Sequence, residues 1–423
     1  MAKIERIHSR EVLDSRGNPT VEVEAFVDDG SFAAAIVPSG ASTGAAEALE
    51  LRDGDRERYD GRGVRRAVEH VNQVIEPALI GFDPVDQSTV DDALLQLDDS
   101  PQKSKLGGNA LLGVSLAVAH AGAKAAGLPL YRHFNRLYLA ASPQSRDVEP
   151  TMPLPMVNMI SGGLHAGGNL DMQDVLIEAV GAPDYSTGLE WIVRVYRRLS
   201  ELLSEAGYEG RLVGDEGGYG PKLKENCEAI TFVVRAIERA NLRPGDDVVI
   251  ALDVAATHFF DGECYRLAIQ NDKRLTSHEM IDELESWVDA FPIVSIEDGL
   301  AEEDWDGWRE LNRRLGDRVA LVGDDLFATN VARVRRGIEL QAANAVLIKV
   351  NQIGTLSETF ATMHTARQAG FQCVVSARSG ETEDATIADL AVGTAAGIIK
   401  IGSIVRSERL AKYNRLLRIE EEL

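Results

Sequence analysis

The chain has 423 residues, enough for two domains, and its 44% hydrophobic and 26% charged content is ordinary for a water-soluble globular protein. Its 67 acidic against 44 basic residues give a formal charge of −23, which repels phosphate backbones and argues against a nucleic-acid partner. A small anionic substrate stays open, because a metal ion and a few local cations reverse the field inside a cleft.

In chain order, Met1-Ala2-Lys3-Ile4-Glu5-Arg6 lacks the apolar core of a signal peptide. Asn18-Pro19 is a turn signal ahead of a strand in which Val21, Val23, Ala25 and Val27 alternate with Glu22, Glu24 and Phe26. Asp28-Asp29-Gly30 turns the chain again, and Phe32 to Val37 is predicted as the third strand of an antiparallel meander. Pro38-Ser39-Gly40-Ala41-Ser42-Thr43-Gly44 fits a lid whose amides and hydroxyls meet phosphate or metal, although it lacks the Gly-Lys-Ser/Thr ending of a nucleotide loop. Helical patterns dominate from about Gly63 to Gly127, and the most apolar of them, Leu111 to Ala119, is too short to span a membrane. Polar residues and prolines from Ser142 to Pro155 read as a linker. A smaller N-terminal α+β domain over 1–141 and a second domain over 142–423 are therefore expected. Cys227, Cys264 and Cys373 show no CxxC spacing and fit a reducing compartment, which makes a cytoplasmic protein the expectation.

From Pro155 onward, strand-like runs alternate with helical ones. Charged residues close the runs at Asp253, Glu297, Asp324, Lys349, Arg378 and Lys400, and from Glu297 the spacings are 27, 25, 29 and 22 residues, one β/α unit each. An α/β barrel of parallel strands is predicted, with the side chains at its C-terminal strand ends converging on one face. The 44 residues from Asp253 to Glu297 leave room for additional elements.

Three carboxylates converging on that face suit a hard cation such as Mg²⁺, although each acid taken singly also fits a loop or a helix cap. Lys349 ends the apolar run Ala345-Val346-Leu347-Ile348, where an uncompensated ammonium group is costly. It reads as a salt-bridged core lysine or as a base whose pKa is lowered by Mg²⁺ and neighbouring cations, Lys400 above all. Such a base removes a proton next to a carboxylate if the metal holds the resulting enolate. Gly214-Asp215-Glu216-Gly217-Gly218 sets acids among glycines, for a plain turn or for close approach of backbone to ligand. Ser376-Ala377-Arg378-Ser379-Gly380 offers a guanidinium and a hydroxyl suited to phosphate. His165, in Gly162-Gly163-Leu164-His165-Ala166-Gly167-Gly168, by itself fits a loop histidine.

Together these stretches resemble the enolases, the phosphopyruvate hydratases of glycolysis, nearly end to end. The matching runs are Ser15-Arg16-Gly17-Asn18-Pro19-Thr20, Ser39 to Gly44, Val213 to Gly218, Ser295 to Leu300, Val322 to Phe327, Ile348 to Thr355, Ser379 to Leu390 and the tail Ala411 to Leu423. The resemblance implies a small N-terminal α+β domain, a C-terminal eight-stranded α/β barrel, two Mg²⁺ ions, a phosphorylated small-molecule substrate and a homodimer or higher homo-oligomer. A lysine base working with Mg²⁺ is the scheme already known for enolase-type sites. By resemblance, Asp253, Glu297 and Asp324 match the ligands of the first Mg²⁺, and Ser42 helps bind the second. Lys349 matches the base that removes the C2 proton of 2-phosphoglycerate, and Glu216 the acid that assists departure of the C3 hydroxyl. Asp174 stands at a further catalytic acid, Lys400 at a contact to the substrate carboxylate, and His165, Arg378 and Ser379 around the phosphate and substrate.

Two positions depart from the pattern. Ala377 replaces the histidine of Ser-His-Arg-Ser-Gly, and Gln173-Asp174 replaces Gln-Glu with an acid one methylene shorter. A displacement of about 1 Å at a catalytic group costs on the order of 10²-fold. Smaller departures are Ser161, Leu164 and Ile401. Both larger changes fall, by resemblance, where hydroxide leaves. They point to a specialised member such as carboxyphosphonoenolpyruvate synthase of phosphinothricin-type antibiotic pathways, which joins a phosphonoformyl group to an enolpyruvate skeleton. The alternative is an ordinary enolase converting 2-phosphoglycerate to phosphoenolpyruvate. A non-catalytic scaffold is a third reading, against which the retained Lys349, Glu216 and three metal carboxylates argue.

Overall fold

The computed structural model describes residues 2–40, 44–142 and 148–423. The predicted alternation becomes β2 (Pro19–Val27), flanked by antiparallel β1 (Ile4–Leu13) and β3 (Phe32–Ile36). Val21, Val23 and Ala25 are wholly buried on one face of the sheet. Helix Gly108–Ala125 packs on that face so closely that a Cβ on Gly113 would lie 2.7 Å from Val23 Cγ2. The helical stretch read from Gly63 to Gly127 holds this helix and shorter ones before it. No single helix among the described residues is long and apolar enough to cross a membrane.

The C-terminal region closes a barrel of eight strands. These are β4 (Leu154–Ser161), β5 (Asp174–Glu178), β6 (Val249–Asp253), β9 (Ile293–Glu297), β10 (Ala320–Gly323), β11 (Ala345–Ile348), β12 (Gln372–Ser376) and β13 (Gly397–Gly402). The 44 residues before Glu297 accommodate a separate hairpin, β7 (Tyr265–Leu267) with β8 (Lys273–Leu275), and helix Ser277–Ala290. Inside the barrel Met156, Leu176, Ala251, Val322, Leu347, Val374 and Ile398 pack together. Each such aliphatic side chain contributes about 1.5–3 kcal/mol on burial.

The barrel is not uniformly parallel as predicted: β5 runs antiparallel to both β4 and β6. Residues 162–173, which join β4 to β5, hold only a short 3-10 turn, and without a crossover helix two paired strands run antiparallel. This reversal brings the first residue of β5, Asp174, to the rim reached by the last residue of β6, its register partner Asp253. Two other residues also sit differently from the strand ends expected of them. Arg378 lies two residues beyond β12, and Lys400 is inside β13.

Candidate active site

The rim is built by strands that deliver polar side chains from apolar runs. Asp253 and Glu297 end β6 and β9 as register partners, and Asp324 and Lys349 immediately follow β10 and β11. From β13, Lys400 Nζ donates to Asp253 Oδ2 and Glu297 Oε2, both at 2.7 Å. Asp324 has other partners: Lys349 Nζ on Oδ2, and Gln352 Nε2 on Oδ1 at 2.8 Å. The three acids expected to share one ion therefore lie on one rim but divide between two lysines. Among the described residues, two groups of possible ligand atoms gather within 4.8 Å of one another: Asp298, Asp324 and Asp325, and His165, Asp174 and Glu216.

Charge crowding explains this division. Burial, then the neighbouring Asp253, pushes the Glu297 carboxyl well above its usual range despite Lys400. Burial would raise Asp253 and Asp324 too, but Lys400 and Lys349 respectively outweigh it and hold both below the ordinary value. Burial would likewise lower Lys349, and Arg378 and Lys400 pull in the same direction as the sequence reading expected. Asp324 overcomes them, so the ammonium sits above its ordinary pKa rather than below it. Asp253, Glu297, Asp298, Asp324 and Asp325 are all buried, and an all-oxygen set of crowded carboxyl groups fits a hard divalent cation. Asp253, Glu297 and Asp324, on the same rim, are the residues that could hold it. Ser42, expected at a second ion, lies outside the described residues.

Lys349, Asp253, Lys400 and Gln173 line a narrow cleft together with Ala377, Arg378 and Ser379. Arg378 is buried and paired with Glu47 of the N-terminal region at 3.0 Å, and its Nη1 also donates to Asn351 Oδ1 at 2.8 Å. His165 and Glu216 complete the lining. His165 Nδ1 meets Asp174 Oδ2 at 3.0 Å, and its Nε2 lies 3.8 Å from Glu216 Oε1. Burial would depress the imidazole, but Asp174 and then Glu216 raise it to about 9. The two acids therefore favour the protonated ring. Asp174 is not part of the cleft lining. Its carboxylate is buried behind His165 and takes a second hydrogen bond from Asn158 Nδ2. The glycines around Glu216 do allow close approach, but to protein: a Cβ on Gly214 would lie 2.7 Å from the His165 carbonyl oxygen. A cavity of about 1070 Å³ opens at the opposite barrel end beside Val319 and Gln372, away from this chemistry.

The family model described as enolase, N-terminal domain, matches residues 4–134, and that described as enolase, C-terminal TIM barrel domain, matches residues 149–423. The chain belongs to the enolase family. That family generally uses Mg²⁺, and the acidic rim of this enolase-family barrel is able to bind a metal ion.

Sequence reasoning missed several members of the site. Asp298 and Asp325 each follow a named acid, and those doublets were a usable signal. Asp298, at φ +42°, accepts from the Asp324 and Asp325 amides at 2.9 and 2.8 Å and so ties the ends of β9 and β10 together. Gln352 and Glu47, which position Asp324 and Arg378, carry no such signal, because neither lies in a periodic pattern that aims it at the rim.

Proposed function

We propose that this enolase-family protein acts on 2-phosphoglycerate, phosphoenolpyruvate or a close analogue, removing the proton next to the carboxylate where, as in 2-phosphoglycerate, that carbon carries one, and is a specialised member rather than a housekeeping dehydratase. The observation that carries the reading is the cleft itself: Lys349, Lys400 and the strand-end carboxylate of Asp253 line the same narrow space as Arg378 and Ser379. In this reading Asp324, whose charge holds the Lys349 ammonium protonated, turns to a metal ion, and the freed Lys349 Nζ takes the C2 proton. Lys400 neutralises the substrate carboxylate, and Arg378 with Ser379 holds the phosphoryl group. Asp253, Glu297 and Asp324 would hold Mg²⁺, which when bound would supply positive charge next to the substrate carboxylate. Asp174 acts through His165, keeping its proton on Nδ1 and its ring against Glu216.

The specialised part of the proposal draws on the leaving-group end. Ala377 lines the cleft with a methyl group, and Asp174 is held back from it. A methyl group there takes up less of that end than an imidazole would, which is the direction of change a group larger than hydroxide calls for. Ordinary dehydration to phosphoenolpyruvate is the second reading, favoured by Glu216, which still faces the cleft with a protonated imidazole beside it.

Incubation with 2-phosphoglycerate and Mg²⁺, followed by enol absorbance, separates them. Feeble turnover is expected, rising by about 10²-fold or more in the double variant Ala377→His, Asp174→Glu. Wild-type turnover at the rate of ordinary enolases would remove the specialised reading.

A further inference from the structure

The turn from Asp14 to Asn18, matched as a motif but given no task so far, docks beside the cleft. Asp14 Oδ1 accepts from the Arg16 and Asn18 amides, both at 2.8 Å, and the Ser15 amide donates to the Glu381 carbonyl at 2.7 Å. Arg16 is thereby aimed at the seam between the two halves of the chain. Its Nη1 donates to Ser379 Oγ at 3.3 Å and its Nη2 to the Gly40 carbonyl at 3.0 Å. Gly380 makes room for this, since a Cβ there would lie 2.7 Å from Arg16 Nη2. The glycine is therefore a requirement of the arginine's position.

A hydroxyl carries one hydrogen and two acceptor lone pairs. The guanidinium engages one lone pair of Ser379 Oγ, and among the described residues no acceptor takes the hydroxyl hydrogen. Ser379 lines the cleft, so that hydrogen is available to an anionic ligand. We infer that Arg16 is a positioning residue for the anion end of the cleft, presenting the Ser379 hydroxyl as a donor to the substrate phosphoryl group while tying Gly40 to the same point. Arg16 does not line the cleft and acts through Ser379. The inference rests on the phosphorylated-substrate reading above.

The test is a double-mutant cycle read by calorimetry with Mg²⁺ in excess, using 2-phosphoglycerate and, separately, inorganic phosphate. Arg16→Gln is expected to weaken both ligands about tenfold in the wild-type background, and less than about twofold in the Ser379→Ala background. Arg16→Lys, which keeps the charge but not the fork, is expected to fall between wild type and Arg16→Gln. Turnover at saturating substrate should change by less than about threefold, leaving the loss in KM. Equal weakening in both backgrounds, or none in either, overturns the inference. Should Arg16→Gln not fold, Arg16→Lys carries the same cycle. A wild-type chain that binds phosphate but not 2-phosphoglycerate refutes the substrate reading, while the phosphate arm still decides the role of Arg16. A chain that binds neither overturns both.

Discussion

Glu178 ends β5 two residues beyond Leu176 and so shares the inward face of the barrel. It is 3% exposed, its Oε1 has no hydrogen-bond partner among the described residues, and burial raises its pKa from 4.5 to about 7. Between those two values the unfolded chain is ionised while the folded chain keeps the proton. Stability therefore falls as pH rises through that window and stays lower above it. Glu178→Gln removes the titration. Relative to wild type, the variant should gain on the order of 2–3 kcal/mol on going from pH 5 to pH 8. Urea unfolding of both proteins at the two pH values measures this difference, and parallel pH dependences would refute it. Nothing in the sequence marks Glu178, because an acid among apolar residues reads the same whether it faces the barrel interior or its outside.

At the scale of elements, helix Gly108–Ala125 decides how closely the N-terminal sheet and its surroundings pack. A Cβ on Gly122 would stand 2.2 Å from the Pro84 carbonyl oxygen, a backbone atom that moves only with its segment. Alanine is a better helix former than glycine by about 1 kcal/mol. Overpacking against backbone costs about 1–3 kcal/mol, so Gly122→Ala is expected to lower stability despite the improved propensity. A rise in thermal midpoint would show instead that Pro84 yields easily. The helix itself was legible as an apolar stretch, and β2 as an alternating one, because each pattern reports one buried face. The reversal of β5 was not legible in the same way. Val175-Leu176-Ile177 reads as a doubly buried strand in either direction, and only the short loop before it determines the orientation. Lys400 was placed at a strand end for a related reason: the run through Ile401 stays apolar, so nothing local marks where it stops.

For the whole molecule, the site is an assembly of charges drawn from distant parts of the chain, and this sets what was readable in advance. The strand-closing acids and Lys349 stand out because a charge breaks an apolar run. Their pairing does not, because Lys400 reaches two acids across the barrel while Lys349 takes a third. The buried acids Asp253, Glu297, Asp298, Asp324 and Asp325 exceed the ammonium groups of Lys349 and Lys400 set against them. A divalent cation that binds only the folded chain stabilises it by about 2.7 kcal/mol at a hundred times its dissociation constant. Mg²⁺ is therefore expected to raise the thermal midpoint of the wild-type chain in a concentration-dependent way, and a chelator to reverse the rise. On the ligand set proposed above, Asp253→Asn should abolish the response. A distant surface change such as Asp306→Asn, whose carboxylate is exposed and paired only with Arg309, should leave the response intact. Equal Mg²⁺ shifts in wild type and Asp253→Asn would place the stabilising ion elsewhere on this acidic chain and detach the metal from the chemistry proposed for Lys349.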